Sequence, residues 1–139
     1  MHLSRKPELL CAGRDAMLNR TRRMILEKCF SVKVATTEAE ATALLLGQRF
    51  DLVLLCYSLP DEECRRIVGV THSLPSPPKI LSMAEGHERL LLGPRDEEFL
   101  SGGPADLLKK AAAMEGLTPA EAEKCAAEEP VQKPRQSIQ

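Results

Sequence analysis

The sequence is poor in aromatic residues, with no tryptophan, one tyrosine and three phenylalanines in 139 residues. A buried core must therefore be built from leucine, isoleucine, valine, alanine and methionine. Hydrophobic residues make up 43% and charged residues 28% of the chain, which is an ordinary globular composition. A chain of this length supports one compact domain.

Neither sign of charge dominates, since 19 lysines and arginines face 20 acidic residues. This balance gives no broad attraction to nucleic acid or to an anionic membrane. The longest apolar run, residues 52–57, is too short to span a bilayer, and residues 1–7 lack the apolar core of a secretory signal. We expect a soluble, cytoplasmic protein that binds neither nucleic acid nor membrane.

Motifs for metals and nucleotides are also missing. None of the five cysteines belongs to a C-x-x-C pair and only three histidines are present, which makes a zinc site a weak interpretation. The odd number of cysteines favours reduced thiols. Gly13 stands alone and Gly102-Gly103 is too short to be a phosphate loop. We predict no metal, no cofactor and no enzymatic activity.

Five segments have strand patterns. Residues 8–13 are a short apolar run ended by glycine, and residues 30–35 alternate with period two. The continuous apolar run at 51–57 is typical of a central parallel strand buried on both faces. Two weaker strands are predicted at residues 79–84 and 98–101.

Helical patterns separate these strands. Asp15 is the predicted N-cap of a helix that runs to Cys29, and Thr37 with Glu40 forms a capping box for a second helix that ends near Gly47. The apolar stripe of the first helix, with arginines on the opposite face, is predicted to be Met17, Leu18, Thr21, Met24, Ile25 and Cys29.

The second half is predicted in the same way. Asp61 is the expected cap of a third helix that turns Cys64, Ile67 and Val68 inward. Residues 85–96 hardly accommodate a full helix, so a fourth helix there should be shortened. Residues 103–114 form a helix that begins at a proline, with Leu107 and Leu108 inward.

This alternation predicts an α/β fold, a three-layer sandwich with helices on both faces of a five-stranded parallel sheet. The flavodoxin-like strand order 2-1-3-4-5 is the natural choice. We place the domain at residues 1–116. A capping box at Thr118 and Glu121 predicts an additional helix at 117–128, and residues 129–139 are expected to be a flexible tail.

The segment Phe50-Asp-Leu-Val-Leu-Leu-Cys-Tyr-Ser-Leu-Pro-Asp61 resembles the third strand and following loop of response-regulator receiver domains, the CheY-like family of two-component phosphorelays. The resemblance covers about Glu8 to Met114. It implies a nucleophilic aspartate at the end of strand three and acidic Mg²⁺ ligands after strand one. It also implies a hydroxyl after strand four and a lysine after strand five.

The sequence departs from this pattern at nearly every position. Cys56 stands at the acceptor position. The acidic cluster falls on Gly13, Arg14 and Asp15, of which only Asp15 is acidic. The hydroxyl position falls on Met83, or on Ser82 if the register is shifted by one, and the lysine position falls near Ser101 and Gly102. The resemblance therefore implies a degenerate pseudo-receiver that is not phosphorylated by the family's route.

Several residues have two interpretations. Cys56 is either a small buried hydrophobe or a redox-sensitive thiol activated by Arg14, with Cys11 on the adjacent strand as a conceivable partner. Arg14 either binds an anion or pairs with Asp15, Asp61 or another neighbour.

The remaining candidates are expected to be structural or exposed. Arg20, Arg22, Arg23 and Lys28 form a basic face that is either solvated or docks to an acidic partner. His72, His87 and Cys125 are expected at the surface, and Cys64 in the core.

The function predicted from these observations is that of a stand-alone receiver-like module. It would act in signal transduction by binding a signalling protein whose identity is unknown, without aspartate phosphorylation. The alternative is a redox- or ligand-responsive domain that uses Cys56 in the crevice at the carboxyl ends of the strands.

Overall fold

The structure is a computed structural model, and it describes residues 6–56, 58–83, 92–99, 103–118, 120, 121 and 124. The strands are β1 (Glu8–Ala12), β2 (Ser31–Ala35), β3 (Leu52–Leu55), β4 (Lys79–Ser82) and β5 (Glu97–Glu98). The helices are α1 (Ala16–Leu26), α2 (Glu38–Gly47), α3 (Asp61–His72) and α4 (Pro104–Met114).

The five strands form one parallel sheet in the order β2-β1-β3-β4-β5. This is the predicted flavodoxin-like order, so the predicted fold class is confirmed. Within the described residues, the central strand β3 is buried at all four positions, as its unbroken apolar sequence predicts. The chain passes from β1 outward to β2 and then back across to β3, so that β1 and β3 end side by side at the point where the strand order reverses.

Two hydrophobic clusters lie on opposite faces of the sheet. One packs alternate strand residues such as Leu10 and Val53 against α2 and α3, including Leu45 and Ile67. The other packs the residues in between against α1 and α4, and includes Cys11 and Cys56. Because side chains alternate along a strand, β1 to β4 each supply both clusters. These are the three layers of the predicted sandwich.

Helix starts follow the predicted capping chemistry at most sites. The Asp15 carboxylate accepts hydrogen bonds from the backbone N–H groups of Met17 and Leu18, and the Thr37 hydroxyl accepts one from the Glu40 N–H. Asp61 differs from the prediction. Pro60, in an extended conformation, precedes α3 without a side-chain cap, and Asp61 is the first helical residue.

Several boundaries also differ. β3 ends at Leu55 instead of residue 57, which lies outside the described residues, and α1 ends at Leu26 instead of Cys29. β5 lies at Glu97–Glu98, one position before the predicted start. Of the segment expected to hold a shortened helix, residues 92–96 are described and contain a turn.

The predicted apolar stripe of α1 is only partly correct: Cys29 is buried and Ile25 packs against the core, as predicted, but the methionines are not. Met17 and Met24 are 74% and 65% exposed, whereas the residues buried along this helix are Asn19, Arg22 and Leu26. These three recur at helical spacing and therefore form the inward face. The helix is rotated so that Asn19 and Arg22 face the ends of the strands. Hydrophobic periodicity would place both of these polar side chains in solvent.

Beyond α4, the capping box at Thr118 is confirmed. The Thr118 N–H donates to the Glu121 carboxylate, and the Glu121 N–H donates to the Thr118 hydroxyl. The extent of the additional helix, the tail at 129–139 and the division of the chain at residue 116 stay predictions. Most of residues 119–139, including Cys125, lies outside the described residues.

Asp96 joins three parts of the fold. One carboxylate oxygen accepts the N–H of Ile80, the second residue of β4, and the other accepts the N–H of Gly93 and contacts His72 Nε2 at 2.9 Å. The Asp96 side chain is only 4% exposed. His72 is exposed, as expected, and its imidazole is also a partner of this nearly buried carboxylate at the end of α3.

We predict that Asp96→Ala lowers the free energy of unfolding by about 2–3 kcal/mol, because two backbone N–H groups lose a charged acceptor. His72→Ala keeps both backbone hydrogen bonds and is expected to cost less than half as much. Urea unfolding followed by circular dichroism measures both. Equal losses in the two variants would contradict the role given to the backbone contacts.

Candidate functional site

The candidate site lies where β1 and β3 end. The parallel register pairs Ala12 with Leu55, and the Cys56 N–H donates to the Ala12 carbonyl, so the next residues, Gly13 and Cys56, face each other across the strand ends. Cys56 is completely buried. The position at which the resemblance implies a solvent-facing carboxylate therefore holds a buried thiol.

Gly13 fits only because it has no side chain. A Cβ atom at this position would lie 2.7 Å from Asn19 Oδ1 and 2.8 Å from Cys56 Cβ, well inside normal contact distances. Asn19 is fixed in turn, because its side-chain amide donates to the Gly13 carbonyl at 2.6 Å. A carboxylate cannot be accommodated at position 13 while Asn19 and Cys56 keep these places.

The other two residues of the expected acidic cluster have local partners. The Asp15 carboxylate caps α1, as described above. Arg14 points outward with its side chain 56% exposed, and its guanidinium forms an ion pair with Glu63 at 2.6 Å. Glu63 is thus the partner of Arg14, instead of Asp15 or Asp61, and Arg14 does not supply the positive charge beside Cys56 that the sequence interpretation gave to it.

Arg22 supplies that charge instead. It was expected on an exposed basic face with Arg20 and Arg23, but it is only 9% exposed, and its positive charge is among the causes that lower the pKa of Cys56. Sequence reasoning missed this role because an arginine within a run of arginines resembles a solvated surface. Its spacing of three from Asn19 and four from Leu26 was the available signal.

Cys11 completes the buried group. Its Sγ lies 3.8 Å from Cys56 Sγ and 3.9 Å from Asn19 Oδ1. The hydrogen-bond contact between the two thiols, followed by the positive charge of Arg22, lowers the pKa of Cys56. The same contact together with burial raises the pKa of Cys11. The expected proximity of the two cysteines is therefore found in the structure.

A serine joins the two loops that follow β1 and β3. The Ser58 hydroxyl accepts hydrogen bonds from the backbone N–H groups of Arg14 and Asp15, at 3.0 and 3.3 Å. The loop after β1 is thereby fastened to the loop after β3. Neither this serine nor the ion pair of Arg14 with Glu63 was recognised from the sequence, since both join residues more than 40 positions apart.

Of the candidates expected at the ends of strands four and five, the structure describes the first pair, Ser82 and Met83. The Met83 N–H donates to the Leu55 carbonyl, and Met83 packs on the same hydrophobic cluster as Cys56. Ser82 pairs with Leu55 and is fully buried. In this register Met83 follows Ser82 just as Cys56 follows Leu55, and the assignment of the hydroxyl position stays a prediction. Ser101 and Gly102, near the expected lysine position, lie outside the described residues, as does His87.

The remaining cysteines are structural within the described chain. Cys29 and Cys64 are buried, as expected for Cys64, and burial raises the pKa of Cys64 to about 12. Across the described ranges, no three histidine, cysteine or acidic side chains form a group that could hold a metal ion. Nor do these ranges contain a helix with the length and apolar character of a membrane span.

Many solved structures resemble this fold. A CheY-like receiver domain protein from Methanospirillum hungatei has a TM-score of 0.60 and 22% identity, over 87% of this chain and 98% of its own. A two-component response regulator from Clostridium difficile has a TM-score of 0.62 and 21% identity, over 79% of this chain and 96% of its own. This chain has the receiver-domain fold.

A third structure holds a metal ion. The receiver domain of a sensor histidine kinase from Pseudomonas aeruginosa, with magnesium coordinated in its active-site cleft, has a TM-score of 0.67 and 16% identity, over 81% of this chain and 99% of its own. Identities this low show the fold and leave the chemistry of the site to its own residues. No protein-family model and no curated protein matches the sequence.

We predict that Gly13→Ala lowers the free energy of unfolding by about 1–3 kcal/mol, because a methyl group is forced into an occupied space. Gly69→Ala is the matched control: a Cβ there meets nothing within 4 Å, and alanine in the middle of α3 should stabilise by about 0.5–1 kcal/mol. Chemical denaturation of both variants tests this. A neutral Gly13→Ala would show that the strand ends are not tightly packed.

Proposed function

We propose that this chain is a pseudo-receiver, a module with the receiver-domain fold that acts in signal transduction without aspartate phosphorylation. The observation that carries the proposal is the buried thiol of Cys56 beside Arg22 at the end of β3. Phosphotransfer to a receiver requires an accessible carboxylate at this place. A buried sulfur next to a guanidinium offers no such acceptor.

The metal-binding half of the site supports the same proposal. Mg²⁺ takes oxygen ligands, usually carboxylates and water. Gly13 has no room for a carboxylate, and the Asp15 carboxylate is engaged in capping α1. The positive charge of Arg22 close to the end of β3 opposes a divalent cation further.

The test is exposure to acetyl phosphate and Mg²⁺, followed by intact mass, and to beryllofluoride and Mg²⁺, followed by NMR. We expect no gain of about 80 Da and no change in the amide signals of Gly13, Cys56 and Met83. A phosphorylatable receiver domain treated in parallel is the positive control. Phosphate found on Asp15 or on any other carboxylate would refute the proposal.

We further propose that the module acts by binding a signalling protein through the outer face of α1. Met17 and Met24 lie seven residues apart and are both largely exposed, so they share one side of the helix. Arg20 lies between them along the helix, and α1 itself contains no acidic residue. Flexible methionines beside positive charge suit a partner segment that carries both apolar and acidic side chains.

Affinity capture from the native cell tests this surface. A direct partner should be retained by the natural chain and lost by the double variant Met17→Ser, Met24→Ser. We expect at least a tenfold loss of affinity, because the variant lacks two side chains that the partner would bury. Leu46→Ser is the matched control, because Leu46 is equally exposed, at 68%, on a different helix. A partner bound equally by all three proteins would place the interface elsewhere.

A further inference from the structure

The thiols of Cys11 and Cys56, at the ends of β1 and β3, are placed where they can react with each other. Their sulfur atoms are in contact at 3.8 Å, and both residues are completely buried. Cys64 differs, since its thiol donates to the Leu59 carbonyl and its pKa is raised to about 12. One molecule therefore contains a cysteine whose pKa is lowered and a buried cysteine that stays protonated.

The difference in pKa between Cys56 and Cys64 arises from the groups that surround each thiol. A thiolate in a protein interior needs nearby donors and a positive charge. Cys56 has both, because its sulfur is in hydrogen-bond contact with the Cys11 thiol and the positive charge of Arg22 acts to lower its pKa. Thiolates, and not thiols, are the form that reacts with peroxides and disulfides.

The backbone places a constraint on what the pair can form. Cys11 is paired with Leu54, so Cys56, just past the end of β3, lies two residues further along the chain in a diagonal position. Diagonal neighbours on adjacent strands are roughly 7–8 Å apart between Cα atoms, whereas disulfides span about 4.4–6.8 Å. A bond between these two cysteines therefore requires the end of β1 or of β3 to move.

We propose that Cys56 is a site of oxidation by hydroperoxides, with Cys11 as the resolving thiol, and that the resulting disulfide displaces the loop after β1. The Cys56 thiolate attacks one peroxide oxygen, the O–O bond breaks, and the second oxygen takes a proton and leaves as water or an alcohol. Cys11 then loses its proton and attacks the sulfenic sulfur. The S–S bond forms and the hydroxyl group leaves as water.

Access to the thiols is controlled by the contacts of that same loop. Ser58 holds the backbone of Arg14 and Asp15, and Glu63 holds the Arg14 side chain. Because both sulfur atoms are buried, peroxide reaches them only when these contacts open. The reaction is then limited by opening of the loop, and its product keeps the loop from closing in the same way.

The experiment uses the full chain with Cys125→Ser, so that the fifth cysteine cannot contribute. Hydrogen peroxide at pH 7 should give a species about 2 Da lighter, and peptide mapping without reduction should show Cys11 linked to Cys56. In Cys11→Ser, the reaction should stop at a sulfenic acid on Cys56 that is trapped by dimedone. Oxidation of Cys56 no faster than that of Cys64 in the same sample would overturn the proposal.

Two serine variants test the role of the loop. Ser58→Ala should raise the rate of oxidation roughly fivefold, since the loop opens more readily without its acceptor. Ser73→Ala is the control, because the Ser73 hydroxyl hydrogen-bonds only locally, to the Val70 carbonyl, at the far end of α3. Equal rates in both variants would overturn the gating step, and a disulfide between any other pair would overturn the assignment of Cys11.

The mapping keeps the natural residues at Cys11, Cys56 and Ser58, so it does not depend on a variant within the site folding correctly. The pH dependence adds a second measurement: the rate at Cys56 should level off at a lower pH than the rate at Cys64, because their pKa values are shifted in opposite directions. The inference stands apart from the proposed function, since absence of phosphorylation and absence of thiol oxidation are separate results.

Discussion

The arrangement on which the site depends is the insertion of two polar side chains of α1 beneath the ends of β1 and β3. The Asn19 amide binds the carbonyl of Gly13, and the Arg22 guanidinium lies at Cys56. Polar groups in a protein interior are stable only with such partners. Because Asn19 and Arg22 need buried partners, α1 is rotated toward the strand ends, and Met17 and Met24 lie in solvent.

The fold was predictable from the sequence because its signals are local and repeated. Alternating strand and helix patterns, an unbroken apolar run at β3 and capping residues such as Asp15 and Thr37 each specify one element, and right-handed crossovers restrict how the elements assemble. The strand order followed from these. Element ends were less accurate, as at β3 and β5, because hydrogen bonds from neighbouring strands decide where pairing stops.

The site was predictable only in part. The position of Cys56 at the end of β3 followed from the apolar run, and Cys11 on the adjacent strand could be named as a conceivable partner. The cation beside the thiol was assigned to Arg14, which is nearer in sequence, whereas Arg22 occupies that place. Hydrophobic periodicity treats every arginine as a surface residue, so it cannot identify one that is buried to serve a polar partner.

The lack of space at Gly13 also limits how this site could change by mutation. An acidic side chain at this position is sterically blocked until Asn19 or Cys56 becomes smaller or moves. A change at Asn19 removes the hydrogen bond to the Gly13 carbonyl, and a change at Cys56 removes a sulfur atom from the packed cluster. Single substitutions therefore lead through less stable intermediates, and the order in which they occur decides whether a folded protein survives each step.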